Sequence, residues 1–257
     1  MNDASLKMDR MIRQAAHDHS PCVGHCTYDA EDYCLSCRRH TDEISAWRDA
    51  DEGLRLAAWQ RIPGAIDAAG LDLMRLPLSP DDIMAIAIET LDHGGAWAVN
   101  AGAMTAYAHD LIHDEDGVVT AISADLQTEI TLDLSGKMRA LAWTRQEATG
   151  RTLSAHLDEA PLLLVVPKVR LNLPVHHEPT VLDDGRMDHG LGRADCRVMT
   201  DGDDLIVETM LATARIKGKG GIKPPHIAAD PHPISGLNLP ESYALAAVVL
   251  PKGEADL

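Results

Sequence analysis

Polar and apolar residues alternate with a period of two through much of the chain beyond residue 95. In TEITLDLS, residues 128–135, Ile130, Leu132 and Leu134 fall on one face with polar residues between them, the pattern of a strand with one buried face. AWAVNAGAMTAYAHD (96–110) and GVVTAISADL (117–126) flank DEDG, a turn. KMRALAWTRQ (137–146) and RTLSAHLDE (151–159) follow at short spacing, with SGK and ATG as the turns. PLLLVVP, residues 161–167, is a continuous apolar run between prolines and predicts a buried strand. YALAAVVLP, residues 243–251, predicts a buried strand or a short helix, which periodicity alone does not separate. The set reads as an antiparallel meander.

Helical signals are fewer. Ser79-Pro80-Asp81-Asp82 supplies a capping serine, a proline at the first helical position and carboxylates at the positive end of the helix dipole. Ile83, Ile86, Ala87 and Leu91 then share one face, and Gly94 predicts the stop. Thr41 predicts an N-cap, with Asp42 and Glu43 in the first turn of a short helix. A second helix is expected from about Asp51 to Ile62, ended by the following Pro-Gly. Residues 64–78, with two glycines and a proline, read as a connector. A last helix is expected from about Asp203 to Ala214, ending near Gly218. The fold class is α+β: a small helical module stapled by a four-cysteine metal site over residues 18–65, then an antiparallel-sheet domain with a few helices over residues 66–257.

Composition narrows the function classes. The chain has no Phe, so its core is built from Leu, Ile, Val, Met and Ala. The formal net charge is −17, and most of the acidic surplus lies beyond residue 70. Such a surface repels phosphate backbones, and 3% aromatic residues leave few stacking platforms, so no nucleic-acid partner is expected. No apolar run approaches the ~20 residues that span a bilayer, so no membrane partner is expected either. The N-terminus is polar and lacks the apolar core of a secretory signal, which makes a cytoplasmic location the expectation.

Against this background one stretch is unusual. SPCVGHCTYDAEDYCLSCRRHTDEISAW, residues 20–47, holds four of the five cysteines, Cys22, Cys26, Cys34 and Cys37, in the spacing C-x3-C-x7-C-x2-C. Disulfides are disfavoured in a reducing compartment, and independent buried thiols have no reason to cluster in a Gly/Asp-rich turn region. Two close cysteine pairs converge on one metal with little loop-closure cost. The ligand set suits Zn²⁺ or an iron–sulfur cluster. Either centre is anionic, and Arg38 and Arg39, directly after the last cysteine, are candidates to neutralise it by charge and by N–H···S bonds. His25 is an alternative ligand, but four thiolates already complete the set. Trp47 and Trp59 are expected to pack over this loop, since so small a module has little other core.

The same stretch resembles the YdhL-like four-cysteine family of predicted iron–sulfur proteins (domain-of-unknown-function family 1289), a bacterial family of unknown function. The resemblance rests on Ser20, Pro21, Cys22, Gly24, Cys26, Cys34, Cys37, Arg39, Thr41, Asp42, Glu43, Ile44 and Trp47, and spans about residues 18–65. It departs at Ser36 and Arg38, where the family tends to have glycine, which puts the detail of the turn after Cys34 in question. It implies an iron–sulfur cluster slightly more than zinc.

A second concentration of ligand-type side chains lies in LPVHHEPTVLDDGRMDHGLGRADC, residues 173–196. His176, His177, Asp188 and His189 are its candidate metal or acid–base residues, although their spacing is irregular and a polar surface loop accounts for them as well. Cys196 reads as a small core residue. RIKGKGGIKPPH, residues 215–226, lacks the order of a phosphate-binding loop and reads as a flexible basic link. The leading expectation is a non-enzymatic metal-binding protein, redox-sensing or electron-transferring if the centre is iron–sulfur, with the larger domain binding a small molecule or a protein. The alternative is an enzyme using residues 176–189, with the cysteine module a structural zinc appendage. A third reading is an adaptor that holds a basic partner on its acidic face.

Overall fold

A computed structural model describes residues 3–18, 20–22, 26, 28–35, 37–68, 73–101, 104–115, 118–133, 138–143, 161–168, 171–191, 194–220 and 243–252. Four α-helices and fourteen strands are assigned among them: α1 Asp3–Asp18, α2 Thr41–Ala46, α3 Glu52–Ala68 and α4 Pro80–Asp92. The strands are β1 Leu73–Arg75, β2 Ala96–Ala101, β3 Met104–Ala108, β4 Asp110–Glu115, β5 Val118–Ile122, β6 Thr128–Asp133 and β7 Arg139–Trp143. They continue as β8 Leu162–Pro167, β9 Thr180–Val181, β10 Met187–Asp188, β11 Cys196–Asp201, β12 Asp204–Thr209, β13 Ala212–Ile216 and β14 Tyr243–Leu250. The α+β class expected from the sequence is what the chain adopts.

Two antiparallel sheets face each other. One has six strands in the order β1-β7-β8-β14-β2-β3; the other has eight, in the order β4-β5-β6-β13-β12-β11-β10-β9. Their inner faces share one core, in which Trp97, Leu164 and Val249 of the first sheet meet Ile130, Leu132, Leu205 and Val207 of the second. The α4 helix closes this core with Ile83, Ala87 and Leu91, and the Trp97 indole Nε1–H donates to the Ala87 carbonyl at 2.9 Å. A buried hydroxyl joins the sheets: Thr209 on β12 donates to the Ala246 carbonyl at 3.1 Å, where β14 bulges between Leu245 and Ala247.

The continuous apolar run of β8 is explained by burial on both faces. Leu162, Leu164 and Val166 point into the shared core, while Leu163 and Val165 join Leu141, Tyr243 and Val248 in a second cluster on the outer face of the six-stranded sheet. The α3 helix approaches this sheet at β1, and α1 packs Ile12, Ala15 and Ala16 against its Trp59 and Ile62. That spacing is one face of a helix, so α1 is amphipathic, a helix the polar N-terminal sequence did not suggest.

Several expectations need correction. Residues 203–214 form no helix; they are β12 and β13, joined to β11 by the two-residue turn Gly202-Asp203 with Gly202 at φ +57°. A two-residue hairpin turn needs such a positive φ, which glycine supplies, and the β-branched Ile206, Val207 and Thr209 favour the extended backbone. The α3 helix does not end before Pro63 but continues to Ala68. Proline fits the helical φ and removes only one backbone donor, and Ile62, fully buried against α1, holds the helix at that turn. Residues 64–78 are therefore helix and strand at their two ends rather than a plain connector. The start of RIKGKGGIKPPH is also ordered: Arg215 on β13 bonds Asp201 and Asp204, and Lys217 pairs with Glu129 at 3.0 Å. The segment 151–159, Leu134 and residues 221–226 lie outside the described residues.

Ser79 caps α4 as expected, its Oγ accepting from the Asp82 N–H at 3.0 Å while the Asp82 carboxylate accepts from the Ser79 N–H at 2.9 Å. Since Ile83 is fully enclosed where α4 meets both sheets, Ile83→Ala is expected to cost about 2–5 kcal/mol of unfolding free energy, read by chemical denaturation.

Candidate metal centre

The loop that carries Cys34 and Cys37 is ordered by polar bonds more than by apolar packing. Tyr28 pairs with Cys34 and Tyr33 with His40 as isolated antiparallel bridges. The Asp29 carboxylate closes the turn between them, accepting from the Glu31 N–H at 3.1 Å and the Tyr33 N–H at 2.9 Å. The Cys34 carbonyl accepts from the Arg38 N–H at 2.7 Å, and the Cys34 N–H donates to the Arg39 carbonyl at 2.9 Å, so the chain doubles back around Cys37. This requires Arg38 at φ +49°, a conformation that favours glycine. Arg38 is held there from both ends. Its guanidinium pairs with Asp29 at 3.3 Å, and its carbonyl accepts from Arg61 Nε at 3.1 Å.

Both thiols of the pair are 1% exposed. Arg39, also buried, donates from Nε to Cys37 Sγ at 3.4 Å and lies over the Trp47 ring at 4.4 Å. A hydrogen bond to Cys34, then burial, push the Cys37 thiol well above its usual range, and Arg39 opposes them. The Tyr28 hydroxyl bonds Cys26 and feels the charge of Cys34 and Cys37, which raises its own pKa. Cys26 is exposed and Cys22 half-buried. The Cys22 thiol lies in the electrostatic field of Arg139.

Residues 20–65 match the profile of a family described as protein of unknown function (DUF1289).

The matched segment holds all four cysteines of the loop, α2 and most of α3. No curated protein and no solved structure matches the chain. Within the segment, the residue at the N-terminus of α2 differs from the expectation: His40, not Thr41, is the cap. Its Nδ1 accepts from the Asp42 N–H at 3.2 Å, while Glu43 reaches back to the His40 N–H at 2.8 Å, a reciprocal pair that leaves Thr41 as the first helical residue. Trp59 packs against α1 and not over the cysteine loop, whereas Trp47 stacks on Arg39 beside Cys37. His25 and Ser36 lie outside the described residues.

The remaining edge of the loop rests on the six-stranded sheet. Arg75 on β1 donates from Nη1 to the Pro21 carbonyl at 2.6 Å and lies 5.1 Å over the Trp59 ring. Arg139 on β7 donates from Nη2 to the Cys22 carbonyl at 3.0 Å and reaches the Ser20 carbonyl at 3.5 Å. Burial, followed by the charge of Arg75, lowers the Arg139 pKa to about 10.

The second sequence-predicted cluster is placed differently from a loose loop. Residues 180–188 form the β9–β10 hairpin at the edge of the eight-stranded sheet, with Gly185 at φ +87° in its Asp-Gly turn. Asp188 is buried and accepts from the Gly190 N–H at 2.9 Å; His189 donates its N–H to the Val198 carbonyl at 3.0 Å. His176 is half-buried and His177 exposed. Among the described residues, no three Cys, His, Asp or Glu side chains close into a metal-binding group, at this hairpin or elsewhere.

Arg61 braces the cysteine loop from α3, bonding the Arg38 carbonyl, pairing with Glu43 at 2.5 Å and lying over the Tyr33 ring at 5.4 Å. Arg61→Met keeps the apolar stem and removes these bonds. About a third of the side chain is exposed, so a loss of about 1 kcal/mol is expected. The same variant should raise amide exchange at Cys34, Arg38 and Arg39, measured by hydrogen–deuterium exchange.

Proposed function

We propose that Cys22, Cys26, Cys34 and Cys37 bind one metal centre, a zinc ion or an iron–sulfur cluster, and that metal binding is what the N-terminal part of this chain does. The observation that carries the reading is the surroundings of the thiols. Two of them, Cys34 and Cys37, are buried beside each other in a turn with one residue in a left-handed conformation, and Cys26 bonds the Tyr28 hydroxyl, which also feels their charge. A buried guanidinium donates to one of the sulfurs. Hydrogen bonds of this kind orient ligands and offset the charge of metal thiolates. The donor set is all sulfur.

Thiolates favour zinc and iron–sulfur clusters over hard cations. A cluster would suit electron transfer or redox sensing. A zinc ion would make the centre structural and leave ligand or protein recognition to the sheet domain. In both cases the metal supplies binding energy to a loop with few apolar residues of its own, since folding and metal binding are coupled in such modules.

The deciding measurement is metal and sulfide analysis with an absorbance spectrum, on full-length protein purified without oxygen. Iron with inorganic sulfide and visible charge-transfer absorption identifies a cluster; colourless protein with stoichiometric zinc identifies a zinc site. Cys34→Ser and Cys37→Ser are each expected to abolish the stoichiometric content. Wild-type protein that takes up neither zinc nor iron, even on reconstitution, sinks the reading.

A further inference from the structure

Buried arginines are ordinarily paired, because an isolated guanidinium in a low-dielectric site is costly. Arg75 breaks that rule. It is fully buried, and its Nε and Nη2 have no hydrogen-bond partner. Arg139, close enough for the two charges to repel, has its Nε in the same condition, and the nearby Tyr243 hydroxyl is also buried and unpartnered. Among the described residues, the groups that face this pair are the carbonyls of Ser20, Pro21, Cys22 and Met138, the Trp59 ring, the Tyr243 hydroxyl and the Cys22 thiol. Among the described residues neither guanidinium has a carboxylate partner. Two adjacent positive charges thus sit unneutralised directly beneath the backbone of the first ligand cysteine.

Four thiolates around a divalent ion carry a net negative charge, as do those around an iron–sulfur cluster. At the Cys37 end of the loop Arg39 already donates to sulfur. Arg38 is committed to Asp29. At the Cys22 end the cations in place among the described residues, Arg75 and Arg139, come from the other half of the chain. We propose that Arg75 and Arg139 are positioning residues that supply the counter-charge of the thiolate centre, so that metal loading seats the cysteine loop on the six-stranded sheet and metal loss loosens it. This rests on the metal-binding reading above and extends it: both arginines lie outside the segment matched by the family. The state of the centre is thereby transmitted to β1 and β7.

The sign of the effect separates this role from plain structural support. In metal-free protein, Arg139→Met removes an unneutralised charge, so its melting temperature should equal or exceed that of metal-free wild type. With zinc present, the same variant should be stabilised less than wild type. Zinc affinity of the full-length chain, read by competition with a chromophoric chelator, should fall about 10–100-fold in Arg75→Met and Arg139→Met. Arg139→Lys, which keeps the charge, should retain most of the affinity. In wild type, removing zinc should raise hydrogen–deuterium exchange at residues 20–22, 73–75 and 139–143.

Wild-type affinity in both Met variants overturns the inference while leaving the metal-binding reading intact. So does an Arg139→Lys protein as weak as Arg139→Met, or a loss of stability that is the same with and without zinc. A wild-type chain that takes up neither zinc nor iron, even on reconstitution, overturns both.

Discussion

The cysteine loop meets the sheet domain through guanidinium-to-carbonyl bonds, and this contact decides how the two halves of the chain can be arranged. Arg75 and Arg139 stand on the outer face of the six-stranded sheet, on neighbouring strands whose register places Arg75 opposite Leu141. That face is otherwise apolar, with Leu141, Leu163, Val165 and Tyr243 buried in one cluster. A charged pair on an apolar face needs acceptors, and the extended Ser20–Cys22 backbone provides three carbonyls in a row. The covalent path from the loop to β1 runs through α2 and α3, so the loop, the helices and the strand edge form one closed circuit of contacts.

That circuit explains why α3 is as long as it is. Its middle both reaches the loop through Arg61 and buries Trp59 and Ile62 against α1, and it ends shortly before the chain enters the sheet at β1. Trp59 works on two sides at once, packing in the helix pair and lying under the Arg75 guanidinium. A cation over an indole is stabilised by the ring quadrupole, more so where water is excluded. The helix pair is therefore part of the environment of the arginines as well as a small core of its own.

The strands were legible where one face or both were uniformly apolar, as in β6 and β8, and the cap of α4 was legible because Ser-Pro-Asp-Asp combines three independent signals. Other elements were misread for physical reasons. In LIVETMLATA the apolar residues satisfy helical spacing as well as the alternation of two buried strands, so periodicity did not decide. The Asp-Gly pairs at 201–202 and 184–185 did carry the answer, since each places a glycine at positive φ in a hairpin turn. The sign of α1 was a short set of apolar residues at helical spacing, Met8, Ile12, Ala15 and Ala16, and two alanines are a weak signal in a polar segment. At the candidate centre, the cysteine spacing and the neighbouring Arg39 could be read directly. Arg75 and Arg139 could not, because they lie 38 and 102 residues beyond Cys37 and nothing local to them suggests a metal.

The chain as a whole holds 40 acidic residues against 23 basic ones. Carboxylate partners for arginine are abundant, and on the eight-stranded sheet they are used: Arg197 pairs with Glu208, and Arg215 with Asp201 and Asp204. Around the cysteines Arg38 and Arg61 also pair with carboxylates, those of Asp29 and Glu43, but three other arginines are handled differently. Arg39 is turned to sulfur and ring, and Arg75 and Arg139 to backbone carbonyls. A carboxylate placed beside these three would cancel their charge and repel an anionic thiolate centre. Its absence from their described contacts leaves positive charge beside the loop at both the Cys37 and the Cys22 end.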